Sequence, residues 1–234
     1  MNEMLSPGGP PSTETGTGAT VLPLPLICRW AAALMLRAPD ATELATYRTP
    51  EGVAFLQALR ADGALAPVGA VLAGLVADEA ALPASARRLE IAHSRAFLMG
   101  GPRAAPPYAS VWLSPRALLW QQPARDMARL LAETGLVIED DTREPPDHLA
   151  IQLDLLAVLT EREAAGAPVP ISVAGFIRRH LLTWLPELAE ALNRGEAPFF
   201  YPELVAAIDA YLRRVLNDNR QFLTGPPEAV FGNS

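Results

Sequence analysis

The chain has 234 residues, half of them hydrophobic, and a mean hydropathy of +0.16, so it can bury the core of one globular domain. Its formal net charge of −7 and pI near 5.0 argue against a protein that binds the phosphate backbone of nucleic acids. The single cysteine, Cys28, excludes an internal disulfide framework and a cysteine-rich metal site.

The two ends of the chain are predicted to lie outside the folded domain. Residues 1–20 are rich in Gly, Pro, Ser and Thr and offer little to bury, so we expect a disordered N-terminal leader. Residues 224–234 have a similar composition and are expected to form a flexible tail. A single helical domain is therefore expected over residues 21–223.

The apolar segment at residues 21–36 has the hydropathy of an export signal but not its other features. No Lys or Arg precedes it, Pro23 and Pro25 interrupt it, and Arg29 lies within it. A signal peptide needs a basic region first, and a membrane span needs about 20 apolar residues. We therefore expect a cytoplasmic protein without membrane insertion, with a first helix beginning near residue 24.

Apolar residues recur at helical spacing through most of the chain. Leu181, Leu185 and Leu188 share one helix face, and no segment alternates apolar and polar residues like a half-buried strand. The sequence predicts an all-α fold, a single-domain bundle of about eight helices. Pro186 lacks a backbone donor, so the seventh helix should kink or restart around Thr183 to Leu185. The helices are expected near residues 24–37, 50–61, 67–80, 85–99, 121–134, 147–164, 171–194 and 201–222.

Two segments between the predicted helices have a different composition. In the first, the aromatic loop (residues 99–115), glycines and prolines prevent a regular helix. Tyr108, Val111, Trp112 and Leu113 supply apolar surface there. A loop of this kind either folds back on the core or is offered to a partner.

The second segment, the acidic hinge (residues 138–148), carries five carboxylates immediately before a predicted helix. Asp147 follows two prolines, so its carboxylate is placed to cap that helix by accepting backbone N–H bonds. His148 would then lie in the first turn, where the positive helix end favours a neutral ring. The alternative for the charge run is a solvated face. The five carboxylates are Glu139, Asp140, Asp141, Glu144 and Asp147.

Asp147 and His148 could also act as an acid–base pair or as part of a metal site. Catalysis would need a nucleophile and a third group, but the sequence has no GxSxG, HExxH or Gly-rich phosphate motif. The other histidines, His93 and His180, lack a second ligand at metal-binding spacing. We therefore predict a protein that is not an enzyme and that needs no metal or cofactor. A small hydrolase using Asp147 and His148 is the less favoured alternative.

Four segments, in this order and spacing, resemble the TorD/DmsD family of molybdoenzyme maturation chaperones. They are AHSRAFLMGGPRAAPPYASVWL, EPPDHLAIQLDLLAVL, FIRRHLLTWLPELAEAL and PFFYPELVAAIDAYL, and the resemblance extends over residues 22–222. It implies a cytoplasmic all-helical protein that binds the twin-arginine leader and the apo form of a molybdopterin-containing oxidoreductase. Such a chaperone assists insertion of the cofactor into its client and delays the client's export.

The resemblance also implies which residues bind the leader and which partner is expected. The partner is the catalytic subunit of a molybdopterin-containing reductase with its twin-arginine leader, with no nucleic acid involved. The chaperone itself is expected to be a monomer or a domain-swapped dimer. In one departure, His93 stands where the family often has tyrosine or tryptophan. The candidate leader-binding residues that match the family are Pro107, Tyr108, Ser110, Trp112, Pro145, Asp147 and His148. Glu144 is added to them as a carboxylate of the acidic hinge.

The chemistry of such a leader agrees with the two unusual segments. A leader presents two adjacent arginines followed by an apolar stretch, so its receptor needs carboxylates and an apolar surface. The acidic hinge and the aromatic loop supply these two surfaces, although the sequence does not specify the distance between them. A helical interaction or regulatory module without an export client has the same composition and remains the alternative.

Overall fold

A computed structural model describes residues 22–99, 104–136, 144–195 and 199–218. Within these ranges the chain contains helices and no strand, which confirms the predicted all-α fold. Eleven α-helices of the described residues surround one hydrophobic core. They are α1 (Leu24–Leu36), α2 (Ala41–Thr46), α3 (Pro50–Ala61), α4 (Ala66–Leu75), α5 (Leu82–His93), α6 (Ala109–Leu113), α7 (Gln122–Glu133), α8 (Leu149–Ala164), α9 (Val173–Phe176), α10 (Leu185–Asn193) and α11 (Tyr201–Asn217). A 3-10 turn (Glu79–Ala81) precedes α5, and π-helical turns follow α5 (Ser94–Leu98) and α9 (Ile177–Leu181).

Each of the eight predicted segments contains helix, and the second coincides with α3. Two short helices, α2 and α6, are additional to the prediction. The seventh segment is divided, because α9 passes into a π-helical turn and α10 begins at Leu185 with Pro186 in its first turn. The expected break around Thr183 to Leu185 is confirmed.

Local capping explains where α2 and α3 begin. The Asp40 carboxylate accepts a hydrogen bond from Glu43 N (2.8 Å), and the Glu43 carboxylate accepts one from Asp40 N (2.9 Å). Before α3, the Thr49 hydroxyl accepts a bond from Gly52 N (3.2 Å). A Cβ at Gly52 would lie 2.1 Å from the carbonyl oxygen of Thr46, so the tight turn between α2 and α3 requires glycine.

The core is built around α1 and α8, which pack along each other more extensively than any other pair of described helices. A second pair is formed by α10 and α11, and a third by α3 and α4. Tyr211 on α11 donates a hydrogen bond to the carbonyl oxygen of Leu22 (2.7 Å), which fixes the start of α1 against the last helix. The acidic hinge is anchored in this core through α8, whose first residue, Leu149, is completely buried.

Several predicted features lie outside the described residues. They are the N-terminal leader (residues 1–20), the tail (residues 224–234) and three carboxylates of the acidic hinge, Glu139, Asp140 and Asp141. The domain boundaries at residues 21 and 223 therefore stay predictions.

In the part of the chain that the structure describes, no single helix combines the length and hydropathy needed to cross a membrane. One pair, α4 with residues 79–98, meets those two criteria jointly but is bent by 90°.

Candidate functional site

The described parts of the aromatic loop (residues 104–115) and of the acidic hinge (residues 144–148) adjoin in space and are joined through their backbones. Leu149 N donates a hydrogen bond to the carbonyl oxygen of Pro107 (2.8 Å), and Ala109 N donates one to that of Asp147 (3.2 Å). These two bonds form an isolated antiparallel bridge between Tyr108 and His148. We call this contact the loop–hinge junction. It brings together residues that lie about 40 positions apart in the sequence.

Asp147 caps a different helix from the one predicted. Its side chain is 0% exposed, and Oδ2 accepts a hydrogen bond from Ser110 N (2.6 Å) in the first turn of α6. The prediction that Asp147 caps α8 is therefore wrong. The residue at the N-cap of α8 is His148, whose Nδ1 accepts a hydrogen bond from Ala150 N (3.1 Å). Because α8 begins one residue later than expected, the Asp147 carboxylate is free to reach across to α6.

His148 is neutral in the folded protein. Burial, and to a lesser extent the charge that His93 would carry, lowers the pKa of the His148 ring to about 4. Since Nδ1 accepts the bond from Ala150 N, the proton of the neutral ring lies on Nε2. The edge of one ring meets the face of the other where Tyr108 packs on His148, with centroids 5.1 Å apart. The expected neutral ring is thus found, with burial as its main cause.

Tyr108 and Glu144 form the part of the junction that reaches solvent. The Tyr108 hydroxyl donates a hydrogen bond to Glu144 Oε2 (2.6 Å), and both side chains are partly exposed. Burial raises the pKa of Tyr108 well above its usual value, and the bond to the Glu144 carboxylate raises it further. The hydroxyl therefore stays protonated and holds the carboxylate in place.

Trp112 and Ser110 join α6 to the residues that precede it and to the start of α7. The indole Nε1 of Trp112 donates a hydrogen bond to the carbonyl oxygen of Pro106 (2.8 Å), so the ring folds back over the start of the loop. Ser110 is fully buried, and its Oγ accepts a hydrogen bond from Gln121 N (3.1 Å) before α7. Ser110 thus contacts the acidic hinge through its backbone and α7 through its side chain.

The eight predicted site residues therefore form one cluster with two layers. Tyr108, Trp112 and Glu144 are partly exposed and can contact a partner directly. The remaining five are buried beneath them and hold the backbone in position. These are Pro107, Ser110, Pro145, Asp147 and His148.

Gln152 belongs to the junction but was not among the predicted residues. It is fully buried on α8, and its Nε2 donates a hydrogen bond to the carbonyl oxygen of Asp147 (2.8 Å). Gln152 Oε1 and Asp147 Oδ1 are buried without a hydrogen-bond partner among the described residues. The sequence did contain a signal for Gln152, since it is a glutamine on a helix face otherwise occupied by leucines. A buried polar group needs a hydrogen-bond partner, so this position could have been predicted to contact the junction.

His93 lies in the core and influences the junction through the pKa of His148. Its ring packs edge to face against Phe97 (centroids 5.0 Å apart) and Tyr201 (5.3 Å). Its Nε2 lies 3.2 Å from the carbonyl oxygen of Met35, to which it donates a hydrogen bond. Burial lowers the pKa of His93, although the bond to Met35 opposes this shift. His93 is therefore a core residue whose charge state affects His148.

The arrangement of Asp147 and His148 is unsuited to acid–base catalysis. The Asp147 carboxylate is bonded to Ser110 N, and His148 Nδ1 is occupied by the start of α8. Neither group can orient the other as a catalytic pair requires. Among the residues with a described position, no three His, Cys, Asp or Glu side chains are grouped so that they could hold a metal ion.

The sequence matches the model of the nitrate reductase delta subunit family over residues 61–190, which is more than half of the chain. The chain belongs to this TorD-like family. It is 32% identical over 208 residues to the chaperone protein TorD of Psychrobacter sp. (strain PRwf-1), covering 86% of this chain and 91% of that protein. It is 29% identical over 195 residues to the TorD chaperone of Vibrio parahaemolyticus, covering 79% and 88%.

A solved structure supports the same fold. A putative redox enzyme maturation protein from Archaeoglobus fulgidus superposes with a TM-score of 0.50 at 17% sequence identity, covering 81% of this chain and 93% of that one. Because the TorD relatives are chaperones, the predictions of the family and of a protein that is not an enzyme are confirmed. The coarse functional prediction, a chaperone of molybdoenzyme maturation, is confirmed as well.

Proposed function

We propose that this TorD-like chaperone acts in the cytoplasm on a molybdopterin-containing oxidoreductase. It binds the client's twin-arginine leader and apo form, assists insertion of the cofactor, and delays export. The observation that carries the proposal is the loop–hinge junction, where a partly exposed carboxylate and two partly exposed aromatic rings lie on adjoining segments.

Glu144 is the carboxylate suited to a leader arginine. One of its oxygens accepts the bond from Tyr108, and among the described residues the other oxygen has no bonded partner. A guanidinium group forms its strongest contacts with carboxylates that are already held in one orientation. Asp147 acts differently, because its buried carboxylate positions α6 and thereby the rings of Tyr108 and Trp112.

The aromatic rings suit the apolar part of the leader. Trp112 and Tyr108 use their polar atoms in bonds to Pro106 and Glu144, so the exposed part of each ring is available for apolar contact. An extended or helical apolar segment placed on these rings would have its arginines near Glu144. The proposed site therefore binds the arginines and the apolar stretch of the leader at the same time.

Calorimetry of the full chain with a synthetic leader peptide tests this proposal. We expect saturable binding that weakens when the two arginines are replaced by glutamine. Glu144→Gln should weaken binding by about 1 kcal/mol or less, because partly exposed ion pairs contribute little. Glu187→Gln, on the exposed side of α10, is the matched control and should bind normally.

The outcome also separates the two functional hypotheses. Binding of neither the leader nor the apoenzyme would reject the proposal and favour a helical interaction module with no export client. If Glu144→Gln and Glu187→Gln weaken binding equally, the loop–hinge junction is not part of the binding site.

A further inference from the structure

A second surface feature lies between α6 and α7. Three consecutive apolar side chains, Leu118, Leu119 and Trp120, are exposed by 53%, 41% and 60%. We call these three residues the apolar tip. All three lie in the connection between α6 and α7, next to one another in the sequence. Soluble proteins seldom expose large apolar side chains side by side unless a partner covers them.

The backbone of this segment is held in an unfavourable conformation. Ala117 and Trp120 have positive φ angles of 48° and 60°, which side chains other than glycine rarely adopt. Hydrogen bonds nevertheless order the segment: Ala117 N donates to Ser114 O (3.0 Å), and Gln121 Nε2 donates to Leu119 O (2.8 Å). Strain that exposes apolar side chains does not help the core form, so core stability does not explain the apolar tip.

The charge around the apolar tip differs from that of the whole protein. The chain has 26 carboxylates, but none lies between Ala104 and Arg125. Arg116 and Arg125 flank the apolar tip, and both are exposed with no ion pair to a described carboxylate. The segment that carries the apolar tip is therefore cationic in a protein that is acidic overall, and the next carboxylate along the chain, that of Asp126, lies 4.0 Å from Arg129. This combination is complementary to an anionic partner with an accessible apolar interior.

We propose that the apolar tip docks the chaperone peripherally on an anionic lipid surface. Leucine side chains enter the boundary of the acyl chains, a tryptophan ring is favoured at the headgroup level, and arginines pair with the lipid phosphates. Three neighbouring exposed apolar side chains can enter a lipid surface directly, whereas a rigid protein face would need a matching pocket. This proposal concerns a surface other than the loop–hinge junction and goes beyond leader binding.

The net charge of −7 makes the docking selective for one orientation. The rest of the surface is repelled by anionic headgroups, whereas the apolar tip with its two arginines is attracted. Each arginine near the membrane contributes about fivefold in affinity at low ionic strength. Because a Debye length of about 8 Å at 0.15 M salt screens these contacts, docking should weaken as salt rises.

Co-sedimentation of the full chain with vesicles tests the proposal. We expect binding to vesicles rich in phosphatidylglycerol, less binding at high salt, and little binding to pure phosphatidylcholine. Leu118→Ser combined with Trp120→Ser should lower the partition coefficient at least tenfold. The matched control is Ile91→Ser combined with Val53→Ser, at two apolar side chains that are exposed elsewhere, and it should bind like the unmodified chain.

Charge is tested separately from apolar contact. Arg116→Gln combined with Arg125→Gln should lower binding to the anionic vesicles about 25-fold, at two arginines and about fivefold each. Arg60→Gln combined with Arg87→Gln, two exposed arginines on α3 and α5, should not change binding. Thermal melts of all variants should match that of the unmodified chain, because none of these side chains is buried.

Three results would overturn the proposal. The first is no binding to any vesicle, and the second is an equal loss of binding in the apolar tip variants and their controls. The third is that Leu118→Ser with Trp120→Ser leaves vesicle binding intact but abolishes self-association, or binding of an acidic peptide. The third result would mean that the apolar tip is covered by a second copy of the chain or by an acidic protein segment. Leader binding should persist in the apolar tip variants, so the outcome is independent of the proposed function.

Discussion

Helix α8 is held in two different ways along its length. Against α1 it buries apolar side chains, and the stabilisation there follows the area and volume that are buried. At its first turn it meets the aromatic loop through a buried carboxylate, imidazole and amide, which stabilise the fold only while each polar atom has a partner. The contact with α1 should therefore be weakened by substitutions that remove side-chain volume. The contact with the aromatic loop should be weakened by substitutions that remove a hydrogen-bond acceptor and by protonation of its imidazole.

The largest expected effect is on the apolar contact. Leu156 of α8 is completely buried in the hydrophobic core, and Leu156→Ala should lower the free energy of unfolding by about 2 to 5 kcal/mol through lost apolar burial and a residual cavity. Leu156→Met keeps most of the volume and should cost less than about 1.5 kcal/mol. Urea denaturation measures both. Equal destabilisation by the two variants would mean that volume does not govern this contact.

The junction should respond to acid where the apolar contact does not. The pKa of His148 is about 4 when folded and near 6.5 when unfolded, so between these values the unfolded chain binds more protons. Stability from this residue is complete above pH 6.5 and falls as the pH drops towards 4, by about 3 kcal/mol in total. Burial shifts His93 and His180 in the same direction, so they add to the loss.

Denaturation across pH 4 to 7 in His148→Gln checks this assignment. In this variant the unfolding free energy should no longer show the pH dependence that His148 contributes, while the contributions of His93 and His180 should remain. An unchanged slope of unfolding free energy against pH would show that His148 is not protonated on unfolding in this range.

Two substitutions of Asp147 distinguish the contribution of its hydrogen bond from that of its negative charge. Asp147→Ala removes the partner of Ser110 N and should cost about 1 to 3 kcal/mol of stability, because a buried donor is left unsatisfied. Asp147→Asn keeps an acceptor for that donor, so its cost should be smaller. Thermal melts compare the two variants. If both lose stability equally, the charge matters and not the hydrogen bond.

The smallest expected effect is at the exposed edge of the junction. Tyr108→Phe removes the hydroxyl that holds Glu144 but keeps the ring, and should cost about 0.5 to 1.5 kcal/mol of stability. Leader affinity should fall to a similar extent as in Glu144→Gln, since both changes act on one carboxylate. In a double variant the two effects on binding should be less than additive, which isothermal calorimetry can measure.

The parts of the fold that were predictable depend on signals close together in the sequence. The bounds of α3 agree with the prediction, and its start coincides with two local signals, Thr49 as the N-cap and Pro50 as the first helical residue. The break before α10 was predicted from Pro186 alone. The start of α2 was missed although Asp40 and Glu43 form a local capping box, so that signal was present and overlooked.

The parts that were not predictable depend on partners far away in the chain. Helix α6 follows a stretch of prolines, and the acceptor for Ser110 N is Asp147, 37 residues later. No local pattern could assign that bond, nor show that Asp147 is buried while Glu144 is partly exposed. Seven of the eight site residues were predicted from the family resemblance and Glu144 from the acidic hinge. They do come together, but tertiary structure determines which of them are exposed to a partner.

The bonds that cross the loop–hinge junction also set how it can move. The amides of Ala109 and Ser110 donate to Asp147, and that of Leu149 donates to Pro107, so neither segment can leave without breaking all three bonds. We expect these amides to exchange with deuterium at one common rate, as a single cooperative unit. A ligand that needs the aromatic loop detached would have to wait for this opening. Its rate of association would then be limited by the protein and would stop rising as ligand concentration increases.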